Sequence, residues 1–222
     1  MMTALQGDLL AMCPQPGRDR IFDADAACEH VQLGAGSWVQ VTRGWLLGAD
    51  PLFEELAAQL PWRQRRRRMW DRVLDEPRLT CWFGAGQALP HPGLAEIRTE
   101  LSRRFQREFG AIGCNFYRDG NDSVAAHRDQ ELRYLDDTLV AIVTCGARRP
   151  FLIRPRGGGR SIDVRPGSGD LLVMGGACQR DWAHGVPKVA ASLARISVSL
   201  RWAASPASAP PAAPPVVLSP PD

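Results

Sequence analysis

Asn115–Glu131 reads NFYRDGNDSVAAHRDQE and places His127 and Asp129 two residues apart. In an extended strand, residues i and i+2 point to the same side, so the imidazole and the carboxylate converge if this stretch is extended. A further histidine, His184, follows 57 residues later, and Arg195 and Arg201 follow it on a short alternating run. Two imidazoles and one carboxylate are the donor set of a facial iron(II) site with open positions. Taken singly, a His-x-Asp pair or a lone histidine is an ordinary strand or core feature, so the weight rests on the set.

The texture around this stretch is β. After Gly110 come short runs at Ile112–Tyr117, Leu139–Cys145, Phe151–Arg154, Ser161–Arg165, Asp170–Met174 and Ile196–Trp202, punctuated by Gly and Pro. Many short strands with such turns predict a sandwich or jelly roll. In the last run Arg195, Ser197, Ser199 and Arg201 share one face, and Ile196, Val198 and Leu200 share the other. Two inward arginines require an anion to meet them. A dicarboxylate is one, and arginine grips carboxylates with two prongs. The alternative is that the polar face is the solvated outside of the sheet. Asn115 and Tyr117 also share a face, either as hydrogen-bonding groups for a ligand carboxylate or as a cross-strand polar pair.

Upstream, Ser37–Thr42 alternates like a strand. Asp50 followed by Pro51 predicts a helix start with Asp50 as the cap, running to about Leu60. Gly93–Phe109 predicts a second helix, with Leu94, Ile97, Leu101 and Phe105 as its apolar stripe. Residues 1–35 show no clear periodicity. The tail from Ala203 is Pro/Ala-rich and is expected to be disordered.

Hydrophobic residues are 45% and charged residues 23% of the 222, the balance of a soluble globular chain. No run of about 18 apolar residues predicts a membrane span, and the N-terminus lacks the basic region of a signal peptide. None of the six cysteines forms a CxxC pair, which excludes a thioredoxin motif or zinc knuckle and leads us to expect a reducing cytoplasm. The net charge is +3, with Arg63, Arg65, Arg66, Arg67, Arg68 and Arg72 crowded together. That cluster suits phosphate, or a solvated face.

Taken in order, N-x-Y-x-D-G-x-D-S-V-x-x-H-x-D, G-A-x-R-x-F, Q-R-D-W-x-H-x-x-P-K and R-x-x-x-x-x-R resemble the AlkB family over roughly Arg72–Trp202. These are iron(II)- and 2-oxoglutarate-dependent dioxygenases that repair alkylated nucleic acids. The run from Pro77 to Gly84, PRLTCWFG, is similar to the pattern of the DNA-repair branch. The resemblance implies a mainly β chain with flanking helices, a double-stranded β-helix (jelly roll). It divides the chain into a variable extension (1–35), a nucleotide-recognition region with supporting helices (36–110), the catalytic core (111–202) and the tail (203–222).

The resemblance further implies that Fe(II) is bound by His127, Asp129 and His184. Asn115, Tyr117, Arg195 and Arg201 would bind 2-oxoglutarate, Arg195 at its distal carboxylate and Arg201 nearer the metal. O2 is the second co-substrate. Glu131 would contact the damaged base, 1-methyladenine or 3-methylcytosine, both cationic near neutral pH. Trp82 and Phe83 are candidates for a wall against which an extruded base stacks. Arg78 is grouped with them on the substrate side, and Met69 and Trp70 with a wedge that enters the duplex. The expected partner is alkylated DNA, with RNA as the alternative, no membrane, and a monomeric protein. Ser197 departs from the family, which has Asn there. Two other readings stay open: a 2-oxoglutarate oxygenase acting on RNA, protein or a small molecule, and a non-catalytic module that binds damage.

Overall fold

A computed structural model of the protein describes residues 22–34, 36–69 and 72–204. The start of the N-terminal extension, Trp70 and the Pro/Ala-rich tail from residue 205 lie outside the described residues. In chain order the elements are β1 (Cys28–Gly34), β2 (Ser37–Thr42), α1 (Ala49–Gln59), β3 (Arg63–Met69), β4 (Arg72–Phe83), α2 (Pro92–Phe105), β5 (Ile112–Tyr117) and β6 (Val124–His127). There follow β7 (Thr138–Gly146), β8 (Leu152–Pro155), β9 (Ile162–Asp163), β10 (Leu171–Gly176), α3 (Cys178–Asp181), β11 (Trp182–Val186) and β12 (Arg195–Ala203).

The strands form two antiparallel sheets. An eight-stranded sheet runs β1-β2-β10-β7-β12-β5-β4-β3, and a four-stranded sheet runs β6-β11-β8-β9. Two separate apolar clusters account for this layering. Side chains from opposite faces of a strand must be covered by different partners. On the outer face, Ile196, Val198 and Leu200 of β12 pack with Ile112, Cys114, Val143 and the helix residues Leu52, Leu56, Leu94, Ile97 and Leu101. On the inner face, Val39, Val41, Val140, Ile142, Leu172 and Met174 of the large sheet meet Phe151, Ile153 and Val186 of the small one. The result is a jelly roll with helices on its outside.

The alternation on β12 resolves the question left open by the sequence. Arg195 is 0% exposed, and Ser197 and Ser199 are also buried, so the polar face looks inward between the sheets. Strands β2, β3 and β4, all before residue 110, lie in the same sheet as β5, β7, β10 and β12. The arginine-rich run is strand β3, the edge strand of that sheet, hairpin-paired with β4. Cys28–Gly34, where the sequence shows no periodicity, pairs with β2, and the Phe22 ring packs 4.6 Å from Trp45.

Helix α1 begins at Ala49 behind Gly48, whose backbone is left-handed (φ 72°). The cap is therefore Gly48 and not Asp50. Asp50 lies inside the first turn and accepts a hydrogen bond from Ser168 Oγ. Helix α2 is capped by His91, whose Nδ1 accepts from Gly93 N at 3.1 Å, and it ends at Phe105, where Gln106 turns left-handed (φ 50°). No helix among the described residues is long and apolar enough to cross a membrane. Ile97→Ala, in the fully buried stripe of α2, is expected to lower stability by about 2–5 kcal/mol. Urea unfolding measures this, and a loss well below that range would remove α2 from the outer core.

Candidate iron and 2-oxoglutarate site

His127 ends β6, and β11 pairs with it so that His184 lies directly opposite His127. Their ring centroids lie 4.4 Å apart, with His184 buried and the His127 side chain 40% exposed. Asp129 follows in the loop, buried, its amide donating to Gln179 Oε1 at 2.9 Å. Ligand atoms of His127, Asp129 and His184 all lie within 4.8 Å of one another, the dimension of a first coordination shell.

The electrostatics fit a metal. His127 Nδ1 lies 2.9 Å from the carbonyl oxygen of Ala125, which as donor leaves Nε2 as the free lone pair. Nε2 faces Asp129 Oδ1 at 3.9 Å. His184 is held neutral: burial, reinforced by His127, brings its pKa down to about 3. Its Nδ1 is buried with no hydrogen-bond partner among the described residues, and the Phe151 ring stacks on the imidazole at 5.7 Å and 10°. Burial pushes the Asp129 carboxyl up, but the Arg201 guanidinium outweighs it and keeps the group below the usual carboxylate range. A neutral imidazole and an ionised carboxylate are donors a divalent metal requires.

The close pairing of β6 and β11 depends on Gly185. A Cβ there would lie 2.8 Å from Val124 O and 3.0 Å from Ala126 N. Both are backbone atoms of the strand that carries His127, so neither can swing aside.

Beside the triad is a cavity of about 130 Å³, lined by Arg78, Asn115, Tyr117, Val124, His127, Val140, Ile142, Phe151, His184, Ser197, Ser199 and Arg201. Arg195 donates to Ser197 Oγ at 3.2 Å and to Thr144 Oγ1 at 3.5 Å. Its Nε and Nη1 are buried with no hydrogen-bond partner among the described residues, and burial lowers its pKa to about 10. A buried guanidinium with two idle N–H-bearing nitrogens is costly unless an anion completes it. Ser197 thus serves as an acceptor for Arg195, a role its hydroxyl fills without the family's amide. Tyr117 lies under Arg195, 5.8 Å from ring centroid to guanidinium carbon. Burial raises the Tyr117 phenol above its ordinary pKa, although Arg195, Arg78 and Arg149 pull the other way. Asn115 Oδ1 accepts from Arg78 Nε at 2.9 Å.

Arg201 stands at the metal end. Its Nε and Nη2 grip the two Asp129 oxygens at 2.9 and 3.0 Å, and Nε lies 3.3 Å from Glu131 Oε1. The Trp82 ring covers it, 5.6 Å from the guanidinium carbon. Phe83 is elsewhere. Adjacent strand residues point to opposite faces, and Phe83 is buried in the outer core under the helices. Trp82 and Phe83 therefore do not form one aromatic wall. Met69 ends β3, but its side chain and all of Trp70 lie outside the described residues.

A larger cleft of about 880 Å³ opens on His127 and Asp129. Leu74–Arg78 of β4, Ser123–Glu131 and Lys188 line it. It shares Arg78, Val124 and His127 with the smaller cavity, so the two spaces meet at His127.

Several supporting residues carry no assigned role in the sequence reading. Arg149 is buried and donates to the carbonyl oxygens of Asp119 (2.7 Å), Asp122 (2.9 Å) and Pro187 (2.9 Å). It thereby ties the β5–β6 loop to the chain after β11. Gln179 and Phe151 hold Asp129 and His184. The available signal was their place in the quoted motifs, since Arg149 and Phe151 are the lettered positions of G-A-x-R-x-F.

Residues 87–201 match the family model of the 2OG-Fe(II) oxygenase superfamily, and the chain belongs to that superfamily. Alpha-ketoglutarate-dependent dioxygenase alkB homolog 3 of Mus musculus is 33% identical over 160 residues, 63% of this chain and 56% of that protein. The Homo sapiens protein of the same name is 32% identical over 163 residues, with the same coverage. DNA oxidative demethylase ALKBH2 of Arabidopsis thaliana is 28% identical over 189 residues, 67% of this chain and 60% of that protein. Within the superfamily this chain is similar to AlkB-family dioxygenases, and the superfamily's cofactor is Fe(II), with 2-oxoglutarate and O2 as co-substrates. It spans less than two thirds of the length of these relatives. The solved structure of OsALKBH1 shares the fold at 13% identity, with a TM-score of 0.51, over 78% of this chain and 99% of that one.

Two outcomes are expected. Arg195→Ala should raise the KM for 2-oxoglutarate by at least tenfold, since truncating a buried charge partner costs roughly 2–5 kcal/mol. Lys at 195 should rescue only in part, because it lacks the fork. An unchanged KM would place the co-substrate away from this guanidinium. Gly185→Ala should weaken Fe(II) binding, read by titration of the apoprotein, whereas Ile97→Ala lowers stability without that effect. Equal iron affinity in the two variants would contradict the tight β6–β11 pairing as the source of the site.

Proposed function

We propose that the protein oxidatively demethylates N-alkylated bases, of the 1-methyladenine and 3-methylcytosine type, in DNA, reversing alkylation damage directly. The observation that carries this reading is the cleft of about 880 Å³ that ends on His127 and Asp129 with Glu131 in its lining. The name of the plant relative, DNA oxidative demethylase, supports it.

His127, Asp129 and His184 are the residues that would hold the metal, and Arg195 would take the distal carboxylate of 2-oxoglutarate. Bound Fe(II), with 2-oxoglutarate and O2, supplies the oxidant that hydroxylates an N-methyl carbon, and 2-oxoglutarate leaves as succinate and CO2. The N-hydroxymethyl group then departs as formaldehyde, returning the unmodified base. Arg201 keeps Asp129 ionised and oriented throughout. A base in a duplex cannot reach a buried metal, so it must leave the stack. Glu131, whose side chain is 57% exposed, offers a carboxylate to the exocyclic amine and the positive charge of the methylated ring. Arg63, Arg65 and Arg66, exposed on the neighbouring edge strand, present charge to the phosphates.

The test is turnover of 2-oxoglutarate and release of formaldehyde with methylated and unmodified oligonucleotides, single- and double-stranded, DNA and RNA. Faster turnover with methylated DNA is expected. Equal turnover with methylated and unmodified strands would overturn the reading in favour of another substrate. Glu131→Ala should lose roughly tenfold or more in kcat/KM for the methylated strand, the worth of a hydrogen bond to a charged group. The KM for 2-oxoglutarate should stay as in the wild type. Unaltered kcat/KM would take Glu131 out of base recognition.

A further inference from the structure

Lys188 is the only lysine in the chain, and it lines the large cleft together with Glu131. Its place is set by the backbone on both sides. The carbonyl of Pro187 accepts from the buried Arg149 at 2.9 Å, and the amide of Val189 donates to Gly120 O at 2.9 Å. The approach is close enough that a Cβ on Gly120 would lie 2.4 Å from Val189 O. An exposed side chain is thus carried on a segment fastened at each neighbour.

The cations of the cleft are not equivalent. Arg78 is committed to Asn115 Oδ1 at 2.9 Å, to Glu76 at 3.0 Å and to Ser123 O at 3.4 Å. Arg128 is committed to Arg180 O at 3.0 Å and Arg133 O at 3.4 Å. Lys188 has no hydrogen bond or ion pair among the described residues, although Asp75, Glu76, Asp129 and Glu131 line the same cleft. It lines the larger cleft and not the smaller cavity beside the triad.

We infer that Lys188 is a positioning residue that grips a backbone phosphate of the nucleic-acid strand beside the base presented to the metal. This rests on the reading of the cleft as a nucleic-acid site. An ammonium on a flexible stem is a point charge, suited to a phosphate whose oxygens can be met from several directions, whereas a guanidinium demands a planar approach. Acids recognise the base and an uncommitted cation holds the strand, so the two charges of the cleft sort the two charges of the ligand.

The test is binding of a single-stranded oligonucleotide, by fluorescence anisotropy over a series of salt concentrations, to wild type, Lys188→Ala and Lys188→Arg. Loss of one phosphate contact should reduce the slope of log K against log salt by about 0.7. Lys188→Arg should keep the slope. A neutral methylphosphonate linkage beside the target base should erase the difference between wild type and Lys188→Ala, while the same linkage at the strand end should not. Because the chain has one lysine, acylation of its amine, read by peptide mapping, should be slowed by the oligonucleotide.

An unchanged slope in Lys188→Ala, or acylation equally fast with and without the strand, overturns the inference while leaving demethylation intact. A wild type that binds the strand but does not demethylate it overturns the proposed reaction and leaves the phosphate contact standing. A wild type that does not bind the strand overturns both.

Discussion

The pairing of β6 with β11 is the constraint on which the site depends. Two imidazoles can share a metal only if their strands bring them to within a few ångströms with both lone pairs on one side. Here the register sets His184 opposite His127, and a glycine lets the backbones close. The small sheet that contains the pair is short and has little apolar surface of its own. It is held by the inner core, where Phe151, Ile153 and Val186 meet the broad face of the large sheet. The outer core then fixes that face from behind through the helices. The candidate iron ligands at the rim are thus supported by packing two layers away.

The same arrangement explains why so much charge is tolerated between the sheets. Asp129 is buried but gripped at both oxygens by Arg201, and the gain from that pair offsets the loss of hydration. Arg195 is buried with two of its N–H-bearing nitrogens idle. Stability alone does not account for such a group, since an apolar side chain would fill the space without the desolvation cost. Its presence is understandable when the fold is completed by an anion.

The parts of the fold legible in the sequence were those with strict alternation. Ile196, Val198 and Leu200 against Arg195, Ser197, Ser199 and Arg201 marked β12, and the stripe Leu94, Ile97, Leu101 marked α2. Other elements left no such trace. Cys28–Gly34 is exposed along nearly its whole length, so no buried face imposed a pattern. β3 is a strand made largely of arginine, and no apolar residue alternates there. The grip of Arg201 on Asp129 joins residues 72 positions apart, and only the packing of the two sheets brings them together. Trp82 and Phe83 looked like a pair because they are adjacent, and adjacency in a strand is what separates them. The helix α1 cap was missed because a left-handed Gly48 stops the backbone without any side-chain signature.

The arginines of β3 have a meaning apart from any ligand. This strand closes one end of the large sheet, so one of its edges offers unpaired N–H and C=O groups to any passing strand. Two copies that approached each other there would bring like-charged rows together. Such repulsion insulates the edge and keeps the sheet from growing by addition of neighbours. The insulation is electrostatic, so it weakens as ionic strength rises and the Debye length falls to about 3 Å at 1 M salt. The protein should therefore be least prone to self-association in dilute buffer, contrary to the usual practice of adding salt to keep a basic protein dispersed.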